Sequence, residues 1–129
     1  MDDKKITSYT QLEVWIQAKQ LVKDIYLATS IFPKDELFGL VNQMRRCAVS
    51  IPSNIAEGCG RNHTKDSIQF FFIARGSLYE LETQLYVSYD LSFIEKEVFD
   101  SLLNQLINCR KLLNGFIRYY QQLKNNHTN

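Results

Sequence analysis

A chain of 129 residues, 45% hydrophobic and 22% charged, has the size and make-up of one globular domain and can bury a self-sufficient core without disulfides or metal. Its three cysteines, Cys47, Cys59 and Cys109, are odd in number, widely spaced and form no CxxC, which excludes a zinc ribbon and a disulfide framework and leaves reduced thiols in or near the core. The longest uncharged stretch, Ile25 to Pro33, is too short for a bilayer span, and Met1-Asp2-Asp3-Lys4-Lys5 leads into polar residues rather than a signal peptide, so the expected location is the cytoplasm.

The first predicted element runs from about Thr10 to Ile31. Thr10-Gln11-Leu12-Glu13 reads as a capping box. Val14, Ala18, Leu21, Ile25 and Ala28 recur at helical spacing, widened by Trp15, Val22 and Tyr26, and Pro33 ends the helix. The second runs from about Lys34 to Gly58, with Asp35 and Glu36 in its first turn. Leu37, Leu40, Val41, Met44, Cys47, Ala48 and Ile51 form its apolar face. Pro52 interrupts it, because proline has no N–H for the Ala48 carbonyl and clashes there. Ile55 and Ala56 keep the helical spacing, so a kink near Pro52 is expected rather than a stop. Gly58-Cys59-Gly60-Arg61-Asn62-His63 is a loop by composition.

The third element runs from about Lys65 to Tyr89, with Thr64 as its expected N-cap. Phe70-Phe71-Phe72-Ile73 is apolar around more than one face, so one ring is expected to point toward a partner subunit. Ala74, Gly76 and Ser77 suggest a second helix passing close by. The fourth element, from about Lys96 to Leu123, carries Val98, Leu102, Leu106, Cys109, Leu113, Phe116, Tyr120 and Leu123 as a heptad-like stripe. No alternating strand pattern appears. The expected fold is therefore all-α: a single domain over 1–129, an antiparallel up-down-up-down four-helix bundle with flexible tails at about 1–9 and 124–129.

That topology makes the molecule electrically polar. One end collects Lys4, Lys5, Arg61, Lys65, Arg118 and Lys124; the other collects Asp35, Glu36, Asp90, Glu95, Glu97 and Asp100. From Ser101 to Asn129 there are four basic residues and no acid, whereas Glu80 to Asp100 holds six acids against Lys96 alone.

Four segments are distinctive. Leu12-Glu13-Val14-Trp15 opens the first helix. Met44-Arg45-Arg46-Cys47-Ala48-Val49-Ser50-Ile51-Pro52-Ser53-Asn54-Ile55-Ala56-Glu57-Gly58 fills the second. Phe72-Ile73-Ala74-Arg75-Gly76-Ser77-Leu78 and Glu80-Leu81-Glu82-Thr83-Gln84-Leu85 follow in the third. Together these resemble the four-helix bundle family encoded by intervening sequences in bacterial 23S ribosomal RNA genes, which is similar to the accessory protein of diversity-generating retroelements. The match spans Tyr9 to Leu123, with Cys47 and Cys59 as departures from the commoner alanine and small polar residue. The resemblance implies a four-helix bundle that assembles as a cyclic homo-oligomer, a pentamer. The retroelement relative is strongly basic and binds nucleic acid; this chain, at a net charge of +1, is near neutral.

Catalytic patterns are missing from the sequence. There is no Glu-x-x-His pair for a di-iron bundle, no phosphate-binding glycine loop, and both histidines, His63 and His127, fall in a predicted loop or tail. No cofactor, metal or small-molecule substrate is expected. Arg45 and Arg46 are about 100° apart on one helix; they read as phosphate or partner contacts, or as structural ion pairs with Glu57, Glu80 or Glu82. Ser53, Asn54, Glu57 and Arg75 flank Pro52 and Gly76 and read as a buried hydrogen-bond network or the lining of a small pocket. Tyr86, Tyr89, Tyr119 and Tyr120 suit base stacking or an apolar edge. The functional expectation is a non-enzymatic oligomeric bundle that binds a macromolecule, RNA or DNA first, through Arg45, Arg46, Arg61, Lys65, Arg118 and Lys124. The alternative is a structural or protein-binding homo-oligomer without nucleic-acid affinity.

Overall fold

The computed structural model describes residues 8–128. Four helices fill it: α1 (Glu13–Thr29), α2 (Asn42–Cys59), α3 (Thr64–Asp90) and α4 (Lys96–Thr128), with no strand among the described residues. The cross-helix contacts fix the topology. Between α2 and α3, Met44 meets Ser88, Ser50 meets Ser77, and Gly58 meets Phe71. Between α3 and α4, Phe71 meets Phe116 and Tyr120, Glu82 meets Arg110, and Tyr89 meets Phe99. Between α1 and α4, Asp24 accepts a hydrogen bond from Gln105 at 2.7 Å. The numbers rise along one helix as they fall along the next, so neighbours run antiparallel around a square.

Each helix places its apolar stripe in one core. Val14, Ala18, Leu21 and Ile25 come from α1; Met44, Ala48, Ile51 and Ile55 from α2; Phe71, Ala74, Leu78, Leu81 and Leu85 from α3; Leu102, Leu106, Cys109, Leu113 and Ile117 from α4. These are the positions the 3.6-residue period selects.

The helix ends differ from the sequence expectation in instructive ways. Thr10 forms no capping box: it lies in a short 3-10 turn, Tyr9–Gln11, where Ser8 Oγ accepts from its N–H at 3.2 Å. Leu12 is the residue that caps α1, without a side-chain bond. Similarly His63, not Thr64, precedes α3 as its cap. The second apolar segment continues as helix past Pro52, as expected, and carries a further break. Helix α2 runs unbroken through the buried Pro52, and Asn54 Nδ2 donates to the Ser50 carbonyl at 2.8 Å beside it. The break lies upstream at Gly39, whose backbone is non-helical (φ −110°, ψ −112°) inside a wide turn, Leu37–Val41. The Glu36 carboxylate accepts the Leu40 N–H at 3.2 Å and closes that turn. At the other end α4 continues to Thr128, past the predicted end at Leu123, so residues 124–128 carry helical backbone.

Close packing between α2 and α3 also comes from an unexpected glycine. A Cβ built on Gly76 meets nothing within 4 Å, so Gly76 itself admits no neighbour, and α2 approaches at the next residue, where Ser77 Oγ meets Ser50 Oγ at 2.7 Å. At Gly58 a Cβ would collide with the Phe71 ring and lie 2.9 Å from the Ser67 carbonyl. Helix α3 crosses α2 where α2 has no side chain to hold it off.

Candidate functional site

Because α2 and α4 finish where α1 and α3 begin, one end of the bundle gathers basic side chains. Lys65 and Gln69 from the start of α3 face Gln121, Lys124 and Asn125 from the end of α4. They line an open cleft of about 380 Å³ whose floor is Ile68 and Phe72. Arg118 is exposed on the outer surface of α4 nearby, its guanidinium folded back over Gly115. Arg61, just beyond α2, pairs with Glu57 at 2.9 Å and lies 4.4 Å above the Phe70 ring. That pair is exposed on both sides, so water screens it and it holds Arg61 only weakly. The cleft itself contains two ammonium groups and three amides and no carboxylate. Lys4 and Lys5, assigned by sequence to this end, lie outside the described residues.

The other two arginines sit elsewhere. Arg45 reaches the last turn of α1: its Nε donates to Thr29 Oγ1 at 2.9 Å, a guanidinium N–H donates to the Tyr26 carbonyl at 3.2 Å, and its charge stands 4.6 Å from the Tyr26 ring. It therefore satisfies a helix C-terminus, where cations are favoured. None of the carboxylates considered from sequence is its partner. Arg46, one residue on, is exposed and unpaired among the described residues. Four of the six basic candidates thus share one end of the bundle, and these two do not.

The polar group around Pro52 is not assembled as one site. Ser53 is exposed in a shallow groove with Tyr9, Glu57 and Arg61, and Asn54 bonds within its own helix. Arg75 turns to α4, donating to Asn114 Oδ1 at 3.1 Å while covering the Phe72 ring at 4.9 Å. The cross-helix polar contact that does form is Ser50 Oγ to Ser77 Oγ at 2.7 Å, with the Cys47 thiol donating to the Ser77 carbonyl at 3.1 Å. The small residues Cys47, Ser50 and Ser77 at helical spacing were its sequence signal; the partner helix was not readable.

The triple-phenylalanine run resolves differently from a simple outward ring. Phe71 is fully buried, Phe70 and Phe72 are half-buried under arginines, and Ile73 is the exposed member. Tyr86 and Tyr89 pack on Phe99, and Tyr120 packs on Phe71 and Phe116. Tyr119 stays largely exposed.

The opposite end presents an apolar surface that sequence reading missed. The end of α1 and the start of α4 enclose a groove of about 520 Å³ lined by Leu27, Ala28, Ile31, Ile94, Val98 and Leu102, with Asp24, Glu95 and Glu97 at its rim. Leu27 is 61% exposed and Ile31 72%. Phe38, on the turn before α2, is 90% exposed.

Nucleophile chemistry has no support in the thiols. Burial pushes Cys47 up to about 12, with Glu80 adding to it, and burial pushes Cys109 up to about 11. Cys59 is also raised by burial. An activated cysteine needs the reverse shift. Among the described residues no three His, Cys, Asp or Glu side chains come together in a metal-holding group, and no helix is long and apolar enough to cross a membrane.

Comparison with known proteins places the fold. A solved structure of a protein of unknown function from the S23 ribosomal protein family of Bacteroides thetaiotaomicron is similar, with a TM-score of 0.73 and 24% sequence identity over 81% of this chain and 97% of that one. No curated protein matches. The family model for the 23S rRNA-intervening sequence protein matches residues 10–115. With most of its length inside that match, the chain belongs to the 23S rRNA-intervening sequence protein family.

Proposed function

We propose that this protein is a non-catalytic, oligomeric bundle that holds RNA or DNA by its phosphates at the basic end. The observation that carries the reading is the cleft between Lys65 and Lys124, which offers ammonium and amide donors and no competing carboxylate. Phosphate oxygens accept from such donors without regard to base sequence. Arg61 and Arg118 extend the basic surface on either side. A net charge of +1 is compatible with this, because Asp35, Glu36, Asp90, Glu95, Glu97 and Asp100 lie at the far end and α4 has no acid beyond Asp100, while Glu13, Glu57 and Asp66 share the basic end. Self-association is the second part of the reading, supported by the exposed apolar side chains at the far end. Copies joined there would leave several basic ends free to engage one long strand, which raises avidity without any new contact.

The test is fluorescence anisotropy with labelled single-stranded RNA, single-stranded DNA and duplex DNA, at about 50 and 200 mM salt. The expected result is binding that weakens steeply with salt and is lost in a Lys65→Glu, Lys124→Glu variant that keeps its helical spectrum. No binding of any probe at low salt defeats the nucleic-acid part. The order of affinities among the three probes assigns the preferred class.

A further inference from the structure

The outer seam between α1 and α2 interleaves aromatic rings with cations. Two hollows lie along it and share Tyr9, Ser53 and Ala56. The first reaches Gly60 and Arg61 just beyond α2; the second runs past Trp15 and Lys19 of α1 to Val49 of α2. From Gly60 to Val49 the seam follows α2 for about 16 Å. Tyr9 is 40% exposed and stands edge-on to the half-buried Trp15, with ring centres 5.4 Å apart. Lys19 holds its ammonium 5.4 Å from the centre of the Trp15 ring. Arg61 stands at one end of the seam, and the exposed Arg46, one turn before Val49 on α2, stands at the other. Arg46 makes no ion pair or hydrogen bond among the described residues. The one carboxylate lining either hollow is Glu57, already paired with Arg61. Tyr9 also lines a third hollow with Tyr119 of α4, so the seam continues onto the helix that carries Lys124.

We infer that this seam is a track for single-stranded nucleic acid, in which bases stack on Tyr9 and Trp15 while Arg61, Lys19 and Arg46 hold the phosphates. The inference rests on the nucleic-acid reading above and adds the strandedness of the ligand. The cleft between Lys65 and Lys124 suits any phosphate backbone. Aromatic rings discriminate, because they stack only on bases whose faces are uncovered, and a duplex covers them with neighbouring bases. An acidic peptide would meet the same cations but brings no flat face for the rings. A neutral apolar peptide would leave the three cations unanswered. Lys19 does not block the Trp15 ring. Its cation–π contact is weak at an exposed position, and a stacked base is the stronger contact. The ammonium sits on a flexible stem and can turn to the phosphate of the arriving nucleotide. Arg61 is equally free to turn, since water screens its exposed pair with Glu57. The track also gives a role to Arg46, which has no structural partner and lies away from the Lys65–Lys124 cleft.

Trp15 is the sole tryptophan of the chain, so its emission reports on this surface alone. The test titrates the full-length protein, at about 50 mM salt, with a thymidine oligodeoxynucleotide, a duplex and an abasic strand of the same length, and polyglutamate. The thymidine strand is expected to quench Trp15 and to bind about tenfold more tightly than the duplex or the abasic strand, the scale of one stacked base. Arg46→Glu and Tyr9→Leu, both at exposed positions, are expected to keep the helical spectrum and to weaken binding of the thymidine strand several-fold. Leucine at position 9 keeps an apolar side chain against Trp15, so its effect reports the ring rather than the packing. No binding of any strand overturns the nucleic-acid reading and this track together. A thymidine strand that binds through Lys65 and Lys124 without quenching Trp15, and indifferently to Arg46→Glu, overturns the track and leaves the phosphate reading standing. Quenching by the duplex, the abasic strand or polyglutamate that equals the thymidine strand's overturns base stacking as its basis.

Discussion

The fully buried Phe71 ring occupies the space that a side chain at Gly58 would need, and it packs there against the half-buried Phe116 and Tyr120. Gly58→Ala must displace either that ring or the Ser67 backbone. It is expected to destabilise by about 1–3 kcal/mol despite alanine's better helix propensity. Gly76→Ala meets only open space and is expected to stabilise by roughly 1 kcal/mol. Urea denaturation of the two variants should move the midpoint in opposite directions.

Helix α3 ends on a left-handed residue that is not glycine. Ser92 has φ 63°, its N–H donates to the Tyr89 carbonyl at 2.9 Å, and the Phe93 N–H donates to the Ser88 carbonyl at 2.9 Å. A side chain in that conformation costs about 1–2 kcal/mol. Ser92→Gly is therefore expected to raise the melting temperature, and Ser92→Val to lower it. Equal melting temperatures for serine and glycine would show that the turn is not strained in this way.

Arg45 and Arg46 are adjacent in sequence and opposite in consequence. Arg45→Ala removes two hydrogen bonds to the end of α1 and the cover over Tyr26, with an expected loss of about 1–2 kcal/mol. Arg46→Ala removes an exposed, unpaired side chain and is expected to change stability by less than about 0.5 kcal/mol. Thermal melts of the two variants separate a structural arginine from a free one.

The buried thiols make the fold sensitive to alkali. An unfolded cysteine ionises near 9.0, whereas Cys47 is held protonated to about 12 and Cys109 to about 11. Above pH 9 the folded chain therefore keeps protons that the unfolded chain has lost. Their contribution is constant below about pH 9 and declines from there toward pH 11 and 12. Unfolding free energy is expected to fall between pH 9 and 11, and to fall less in a Cys47→Ala variant. In the native protein at pH 8, a thiol reagent should modify the half-buried Cys59 first and leave Cys47 and Cys109 for the unfolded state.

Much of the architecture was legible before any coordinates. Val14, Ala18, Leu21 and Ile25, or Leu102, Leu106, Cys109 and Leu113, are core because a 3.6-residue period leaves them no other face. Four such stripes with short connections have few ways to pack, so the antiparallel square and the gathering of Arg61, Lys65, Arg118 and Lys124 at one end follow from element order and charge position. Local exceptions were less legible. Helix α2 continues past Pro52, as the spacing of Ile55 and Ala56 predicts, but the interruption at Gly39 was not readable, because a glycine at the mouth of a turn is not held to helical backbone.

Sequence alone, then, determined the helices, their polar and apolar faces and the family, since these depend on residue spacing within one segment. Tertiary structure decided which arginine is spent on a helix end, which glycine admits a neighbouring helix, and where apolar surface is left uncovered. Those outcomes depend on the distance between residues far apart in the chain. No periodicity encodes that Phe38 stands in water while Phe71, similar in chemistry, fills the core against Gly58.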